Sequence, residues 1–454
     1  MSPEVRGAAQ VAPPSLRWAF GLSVCLLPVL IPSGPANTSP VDVSIAVTIL
    51  MALLWLSHVR ARIRVPYLTG VWILVSAGAV AALLRAQPVA TLALVQDVFL
   101  LAWAAVLASC IAADRTLVDT VCRAWCWTAV CWAGAIVVGR FLGLAWLAGT
   151  STADGSRASL TFGDPNLAGS YYVVCIFIVL ASRHPRRPAS RAAAVGLLVL
   201  AVACTGSNGA LLSLAIGGGV SLVLAQASRR SGAMAVIGVA CLLTLGTAAA
   251  SSLVDVTALR EQAAASGALL RDSVGRSDES SREREVLVSE GMRVYVQGDP
   301  IGVGPGLTKQ ALAQASAPYV KEAHDDYVAT LVERGALGGF GLVVLLTSVA
   351  VRLGGLVRRR PGGDSATDAS GTTRSARSTT ADRAGRPGAM LTHYLVGLGV
   401  ALVASGTFYE VLHFRHVWAY LGLVAGLHLL ATDPVAVRGG RGALPEEAAA
   451  CSSA

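Results

Sequence analysis

Apolar runs too long and too numerous for a water-soluble core govern what this 454-residue chain can fold into. A helix needs about 20 apolar residues to cross the hydrocarbon of a bilayer. About twelve runs approach or exceed that length: 16–32, 41–58, 66–84, 90–112, 118–140, 166–182, 191–206, 209–226, 233–253, 333–352, 391–409 and 414–432. With 54% hydrophobic and only 14% charged residues, the composition excludes an ordinary soluble domain. The expectation is an all-α integral membrane protein with about twelve transmembrane helices and one long, partly helical extracytoplasmic loop.

Arginine placement sets the expected orientation, because short loops rich in Lys and Arg stay in the cytoplasm. Arg60, Arg62 and Arg64 follow the second run, and Arg183, Arg186, Arg187 and Arg191 the sixth; Arg229 and Arg230 follow the eighth, and Arg358, Arg359 and Arg360 the tenth. All four clusters follow even-numbered runs. A multi-pass cell-membrane protein with both termini cytoplasmic results, and Gly206-Ser207-Asn208 must then reverse the chain between the seventh and eighth runs. The net charge of +9 is thereby explained by topology and not by nucleic-acid binding. The 33–40 loop carries no Lys or Arg, as an outside loop should. The first run lacks a small-residue cleavage site and reads as an uncleaved anchor. Eight of the nine cysteines fall within the runs and Cys451 in the C-terminal tail, so no disulfide is expected. Cys122 and Cys126 share a helix face, as packing residues rather than a metal site.

The chain divides accordingly into a disordered cytoplasmic N-terminus (1–15), nine transmembrane helices (16–253), an extracytoplasmic loop (254–332), three further helices (333–432) interrupted by a cytoplasmic linker (357–389), and a disordered tail (433–454). Within the linker, 361–388 is rich in Ser, Thr, Gly, Asp and Arg without apolar periodicity. The extracytoplasmic loop is different. Leu287, Val288, Met292, Tyr295 and Val296 recur at helical spacing and predict an amphipathic helix over 283–297, lying on the membrane or on other spans. Gly298 to Gly306, which contains four glycines and two prolines, ends it in a turn. A short helix over 307–316 then leads to His324. No internal repeat is visible, which argues against transporters built from two related halves.

His324 is the first candidate for chemistry, a titratable imidazole where the polar loop runs back into an apolar helix. Asp325 and Asp326 are placed to orient it and raise its basicity, and Tyr327 adds a phenol on the same turn. Arg282, Arg284 and Arg293 lie among Glu283, Glu285 and Glu290. Either they solvate a helix face, or they clamp a diphosphate with their planar guanidinium forks. Arg157 precedes Asp164-Pro165-Asn166, a turn and helix-start signal at the head of the sixth run. Glu410, His413 and His416 cluster between the last two runs, where aromatic packing is a better reading than a metal site.

Four stretches, in order, resemble the bacterial O-antigen ligase and O-antigen polymerase family of polytopic glycosyltransferases. Arg157 to Asn166 is similar to that family's Arg, then Gly-x-Phe, then Pro-Asn entrance to a span. Thr205 to Leu212 resembles its Gly-Ser-Arg-Gly turn. Arg284 through Asp299-Pro300-Ile301-Gly302-Val303-Gly304-Pro305-Gly306 resembles its loop helix followed by Pro-x-x-Gly-Val-Gly. His324 to Gly338 resembles its histidine motif. The likeness covers 157–338. It implies transfer, at the outer face, of a polyprenyl-diphosphate-linked glycan to an acceptor hydroxyl on a glycan or lipid, by an inverting, metal-independent displacement. His324, Arg284 and Arg157 would be catalytic. Arg282, Asn166, Asn208, Asp325, Tyr327 and Gly304 would contact substrate. Asn208 replaces the family's arginine, so the second cationic contact is absent or comes from Arg157. Asp325 replaces the Asn, Ser or Gln usual in ligases.

Two other classes compete with this reading. A transporter or lipid-linked glycan flippase would use ionisable groups within the spans, of which Asp97, Arg123 and Glu333 are the notable ones. A scaffold would tolerate substitution of Gly302, Gly304 and His324. A cell-wall glycan polymerase of the shape-and-division type is the rival within enzymes, but its acidic motif is missing.

Overall fold

A computed structural model of the protein describes residues 11–33, 38–85, 88–149, 157–227, 279–320, 325–358 and 390–432. Among the described residues all regular structure is helical. In chain order the helices are α1 (Pro14–Cys25), α2 (Pro40–His58), α3 (Leu68–Arg85), α4 (Pro88–Ala113), α5 (Thr116–Phe141), the single turn α6 (Ala145–Ala148), α7 (Pro165–Ser182), α8 (Pro188–Thr205), α9 (Asn208–Ala227), α10 (Glu279–Gln297), α11 (Thr308–Gln314), α12 (Asp326–Arg358), α13 (Thr392–Ser405) and α14 (Arg415–Thr432). Eight of them, α2 to α5, α7 to α9 and α12, are long and apolar enough to cross a membrane. The polytopic class is therefore as expected. The predicted span 233–253, the N-terminal ten residues, the linker beyond Arg358 and the tail after Thr432 lie outside the described residues.

Two predicted spans are shorter in the structure, each for a local reason. The run 16–32 is helical only to Cys25, because Pro28 has no amide to continue the ladder. The chain then leaves the axis, and the amides of Leu30 and Ile31 bond instead to the carbonyl of Thr161, at 3.0 and 3.1 Å. The run 391–409 ends as a helix at Ser405, and residues 406–414 form a compact loop. The break at Gly206 falls where expected, with α8 ending on its left-handed backbone (φ +59°).

α7 is the core helix. In its membrane-length window 78% of residues are buried, and the Tyr172 ring meets those of Phe162 and Tyr171 edge to face. Helices approach closely where one presents glycine, as expected when lipid supplies no hydrophobic drive and contact must come from packing. At Gly422 of α14 a Cβ would lie 2.9 Å from the carbonyl oxygen of Ala104 in α4. Ion pairs fasten the helix ends. Arg415 grips Asp42 with two nitrogens at 2.9 and 2.8 Å, joining α14 to α2. Asp114, between α4 and α5, takes Arg17 at 2.9 Å and the amide of Ala12. Burial works against ionisation of Asp114, but the bonds from Ala12, Thr116 and Arg17 outweigh it and hold its carboxyl below the usual range.

The feature that positions the site is a break inside α12. Gly335 has φ +63° and ψ −165°, a conformation essentially restricted to glycine. The break strips Val332 and Glu333 of the amides that would cap their carbonyls. The glycine-rich loop replaces them: Val303 N donates to Val332 O and Gly304 N to Glu333 O, both at 2.9 Å, while Ala336 N donates to Pro300 O at 3.3 Å. Below the break, buried Arg334 pairs with Asp97 of α4 at 2.7 Å, and Glu333 accepts from Thr308 at 2.8 Å. α10 covers this unit and packs on α12, with Gly291 against Val328. The amphipathic helix thus lies on other helices.

Gly335→Ala should therefore destabilise the protein by at least about 2 kcal/mol, since the new Cβ would sit 1.9 Å from Pro300 O. Gly354→Ala, on the same helix with open space around it, should leave stability unchanged. Melting of the detergent-purified variants checks the pair.

Candidate functional site

The head of α7, the α8–α9 turn, the loop after α13 and the start of α12 meet at one end of the bundle. Asp164 caps α7, its carboxylate accepting the amide of Asn166 at 2.6 Å. The Asn166 side chain then takes one guanidinium nitrogen of Arg157 at 2.6 Å, and the Arg157 Nε donates to the carbonyl of Thr205 at 3.0 Å. Arg157 is thus held in a fixed plane between the start of α7 and the end of α8. Asp-Pro-Asn has a double duty here, starting the helix and aiming the arginine.

Tyr409 is the hub. Its hydroxyl shares a short hydrogen bond with the buried Ser207, and its ring lies under the Arg284 guanidinium, whose central carbon is 5.9 Å from the ring centroid. Burial raises the phenol above its ordinary pKa, opposed by the Ser207 bond and by the charges of Arg284 and Arg157. Arg284 lies over the ring itself, whereas Arg157, held on Thr205 and Asn166, acts on the phenol only through its charge. Gly209 is required beside it, for a Cβ there would stand 2.3 Å from the Tyr409 oxygen.

Asp326 carries the start of α12 to the same loop. Its amide donates to Gly406 O at 2.8 Å, and its buried carboxylate accepts from the amides of Val411 (3.0 Å) and Leu412 (3.4 Å). Tyr327 Oη donates to Val403 O at 2.8 Å. Asp325 accepts from the amides of Tyr327 and Val328, both at 2.8 Å, and so caps α12. Burial of Asp325 raises its carboxyl above the ordinary range in spite of those two bonds.

Of the sequence candidates, Arg157, Asn166, Arg284, Asp325 and Tyr327 are thus gathered around the loop 406–414. His324, the leading candidate, lies outside the described residues, immediately before Asp325. Arg282 belongs to α10, but its side chain is also outside them. Asn208 is exposed at the head of α9, and the turn's inward polar group is its neighbour Ser207. Gly304 is buried, with its amide committed to Glu333 O. Arg293 stands apart on the face of α10, paired with Glu290 and with Ala315 O at 3.2 Å. The imidazoles of His413 and His416 have different surroundings. His413 is 3.7 Å from Glu410, whereas buried His416 meets Ser170 at 3.3 Å and the rings of Tyr171 and Phe414.

Ser207 and Tyr409 went unread in the sequence. Tyr409 was counted within an apolar run, and its partner is a serine in a turn that signals only a chain reversal. The intramembrane charges also find partners: Asp97 with Arg334, Glu333 with Thr308, Arg123 with Asp119. The first two pairs join neighbouring elements, and the third lies within α5.

Residues 192–343 match the family model described as O-antigen ligase. The match runs from α8 through the break in α12, so the resemblance read from the motifs holds over Ser207, Arg284, the glycine loop and Gly335. It supports an O-antigen ligase-like, glycan-processing role at a membrane. Arg157, Asn166 and Tyr409 lie beyond the matched segment. No curated protein matches the chain.

If the Ser207–Tyr409 bond is the link between the α8–α9 turn and the loop, Ser207→Ala and Tyr409→Phe should each cost about 1–3 kcal/mol by orphaning a buried hydroxyl. The double variant should cost little more than either single change. Thermal melting of the three purified variants reads the coupling, and simple addition of the two losses would rule it out.

Proposed function

We propose that the protein is a membrane glycosyltransferase that moves glycan from a polyprenyl-diphosphate donor to an acceptor hydroxyl at the outer face of the cytoplasmic membrane, ligating or polymerising a surface polysaccharide. The observation that carries the reading is that Arg284 lies over Tyr409, that Tyr409 bonds Ser207, and that Arg157 is held on Thr205, two residues before that serine, next to the α12 start that follows His324. Two guanidinium groups at one end of the bundle suit a diphosphate, which each can meet with parallel charge-assisted bonds.

The reaction is a single displacement. The acceptor oxygen forms a bond to the anomeric carbon as the bond from that carbon to the diphosphate oxygen breaks, and inversion follows. His324 accepts the hydroxyl proton. Arg157 and Arg284 stabilise the charge that develops on the departing polyprenyl diphosphate, the work a metal does elsewhere. Preorganisation makes this effective, because Thr205 and Asn166 fix Arg157, and the Tyr409 ring supports Arg284. An apolar crevice between α12, α13 and α14, lined by Leu342, Leu346, Val349, Leu402, Val403 and Leu421, runs up to Asp326 and Gly406. In this reading the polyprenyl chain lies along the mouth of the crevice while its diphosphate stays at headgroup depth.

His324→Ala, Arg284→Ala and Arg157→Ala proteins, present at normal levels in the membrane, should each lower surface polymer by about a hundredfold or more. Arg293→Ala, remote from the cluster, should leave it unchanged. Immunoblotting of the polysaccharide measures both, and full-length polymer from the His324 and Arg284 variants would contradict the mechanism.

A further inference from the structure

The opposite end of α7 carries a second, unrelated cavity. α7 has 18 residues, so its ends are about 27 Å apart, a full membrane thickness from the Arg157 cluster. There a hollow of about 240 Å³ is lined by Arg123, Cys126 and Trp127 of α5 and by His184, Pro185 and Arg186 of the α7–α8 turn. Arg123, Trp127 and Arg186 are exposed, and Arg183, Arg187 and Arg191 belong to the same turn and the start of α8. Asp119 is the acidic side chain paired with this group. It already spends its two oxygens on Arg123 and on His184, the latter at 2.9 Å. Its charge is therefore offset while the arginine fork keeps further donors.

We infer that this cavity binds the phosphate headgroup of an anionic membrane lipid. A cluster of arginines in a loop would by itself only orient the chain in the membrane. Here two of the arginines line a half-open hollow, and Trp127, 58% exposed on α5, lines it with them. Indole sits favourably at the headgroup level, its apolar face toward the acyl chain. Arg123 and Arg186 would meet the phosphate from the two walls, and basic pockets between membrane helices recognise lipids in this way. The inference is independent of the transfer reaction, whose residues lie at the other end of the bundle.

The test is native mass spectrometry of the detergent-solubilised full chain, titrated with dioleoylphosphatidylglycerol, dioleoylphosphatidylcholine or inorganic phosphate. Phosphatidylglycerol should bind in preference to phosphatidylcholine. Arg123→Gln/Arg186→Gln should weaken it about thirtyfold, whereas Arg60→Gln/Arg62→Gln, which removes the same charge from another loop, should not. Trp127→Ala should weaken the lipid severalfold and leave phosphate binding alone. If the double variant does not run as a single species, Arg186→Gln, in an exposed turn, should still lose about fivefold. Equal affinities for the parent and the Arg123/Arg186 variants, or for the two lipids, would overturn the inference. Displacement of phosphatidylglycerol by phosphate with Trp127→Ala unchanged would also overturn it and leave a free-anion site.

Discussion

Everything at the Arg157 end of the bundle rests on a repair of backbone hydrogen bonds. A break in a membrane helix is tolerable only if the freed carbonyls and amides find other partners, since lipid offers none. Here the break at Gly335 is repaired by the loop 300–304, whose amides and carbonyl splice into α12 at Val332, Glu333 and Ala336. The glycines are needed on both sides of the splice. Gly302, Gly304 and Gly335 all have positive φ, and the closest approach, at Gly335, leaves no room for a Cβ. Buried Arg334, paired to Asp97, and Glu333, bonded to Thr308, fix the spliced unit to α4 and α11. Removing one partner of such a buried charged pair strands the other, so the unit is expected to keep or lose its order as a whole.

The splice fixes the start of α12, and the rest of the site follows from it. Nine residues from Asp326 to Arg334 precede the break, about 13 Å of helix. This length places Asp326 against the amides of Val411 and Leu412 and so holds the loop that carries Tyr409. Tyr409 in turn links Ser207 to Arg284, and the α8–α9 turn reaches Arg157 through Thr205. A chain of direct contacts thus runs from the break in α12 to the two arginines. The likeness in the motifs has a physical content here. The glycine loop and the histidine motif are separate in sequence, but they are two halves of one hydrogen-bonded unit.

How much of this the sequence could convey depended on whether the signal was local. Membrane helices, the amphipathic α10 and the glycine turn were legible, because apolar length, helical spacing and backbone freedom are properties of a short window. Arg157 and Arg284 were legible as candidates, since their charge is out of place beside apolar spans. The shortening of α1 was foreshadowed by Pro28, but the compensating partner, Thr161, is remote in the chain. Asp325 and Asp326 were expected to orient an imidazole. His324 itself lies outside the described residues, and the bonds described for the two carboxylates are a helix cap and a loop anchor, roles set by backbone amides that no side-chain pattern reveals. Ser207 and Tyr409 escaped for the same reason, as each has meaning only once α8, α9 and the 406–414 loop have met.

The central claim is that the Arg157–Tyr409–Arg284 cluster receives the diphosphate of a lipid-linked glycan. The most direct measurement is the affinity of the purified, detergent-solubilised protein for polyprenyl diphosphate, against polyprenyl monophosphate as a reference. The diphosphate should bind more tightly, and Arg157→Ala/Arg284→Ala should abolish the difference without changing the melting temperature. A double variant that still prefers the diphosphate to the same degree would contradict the account.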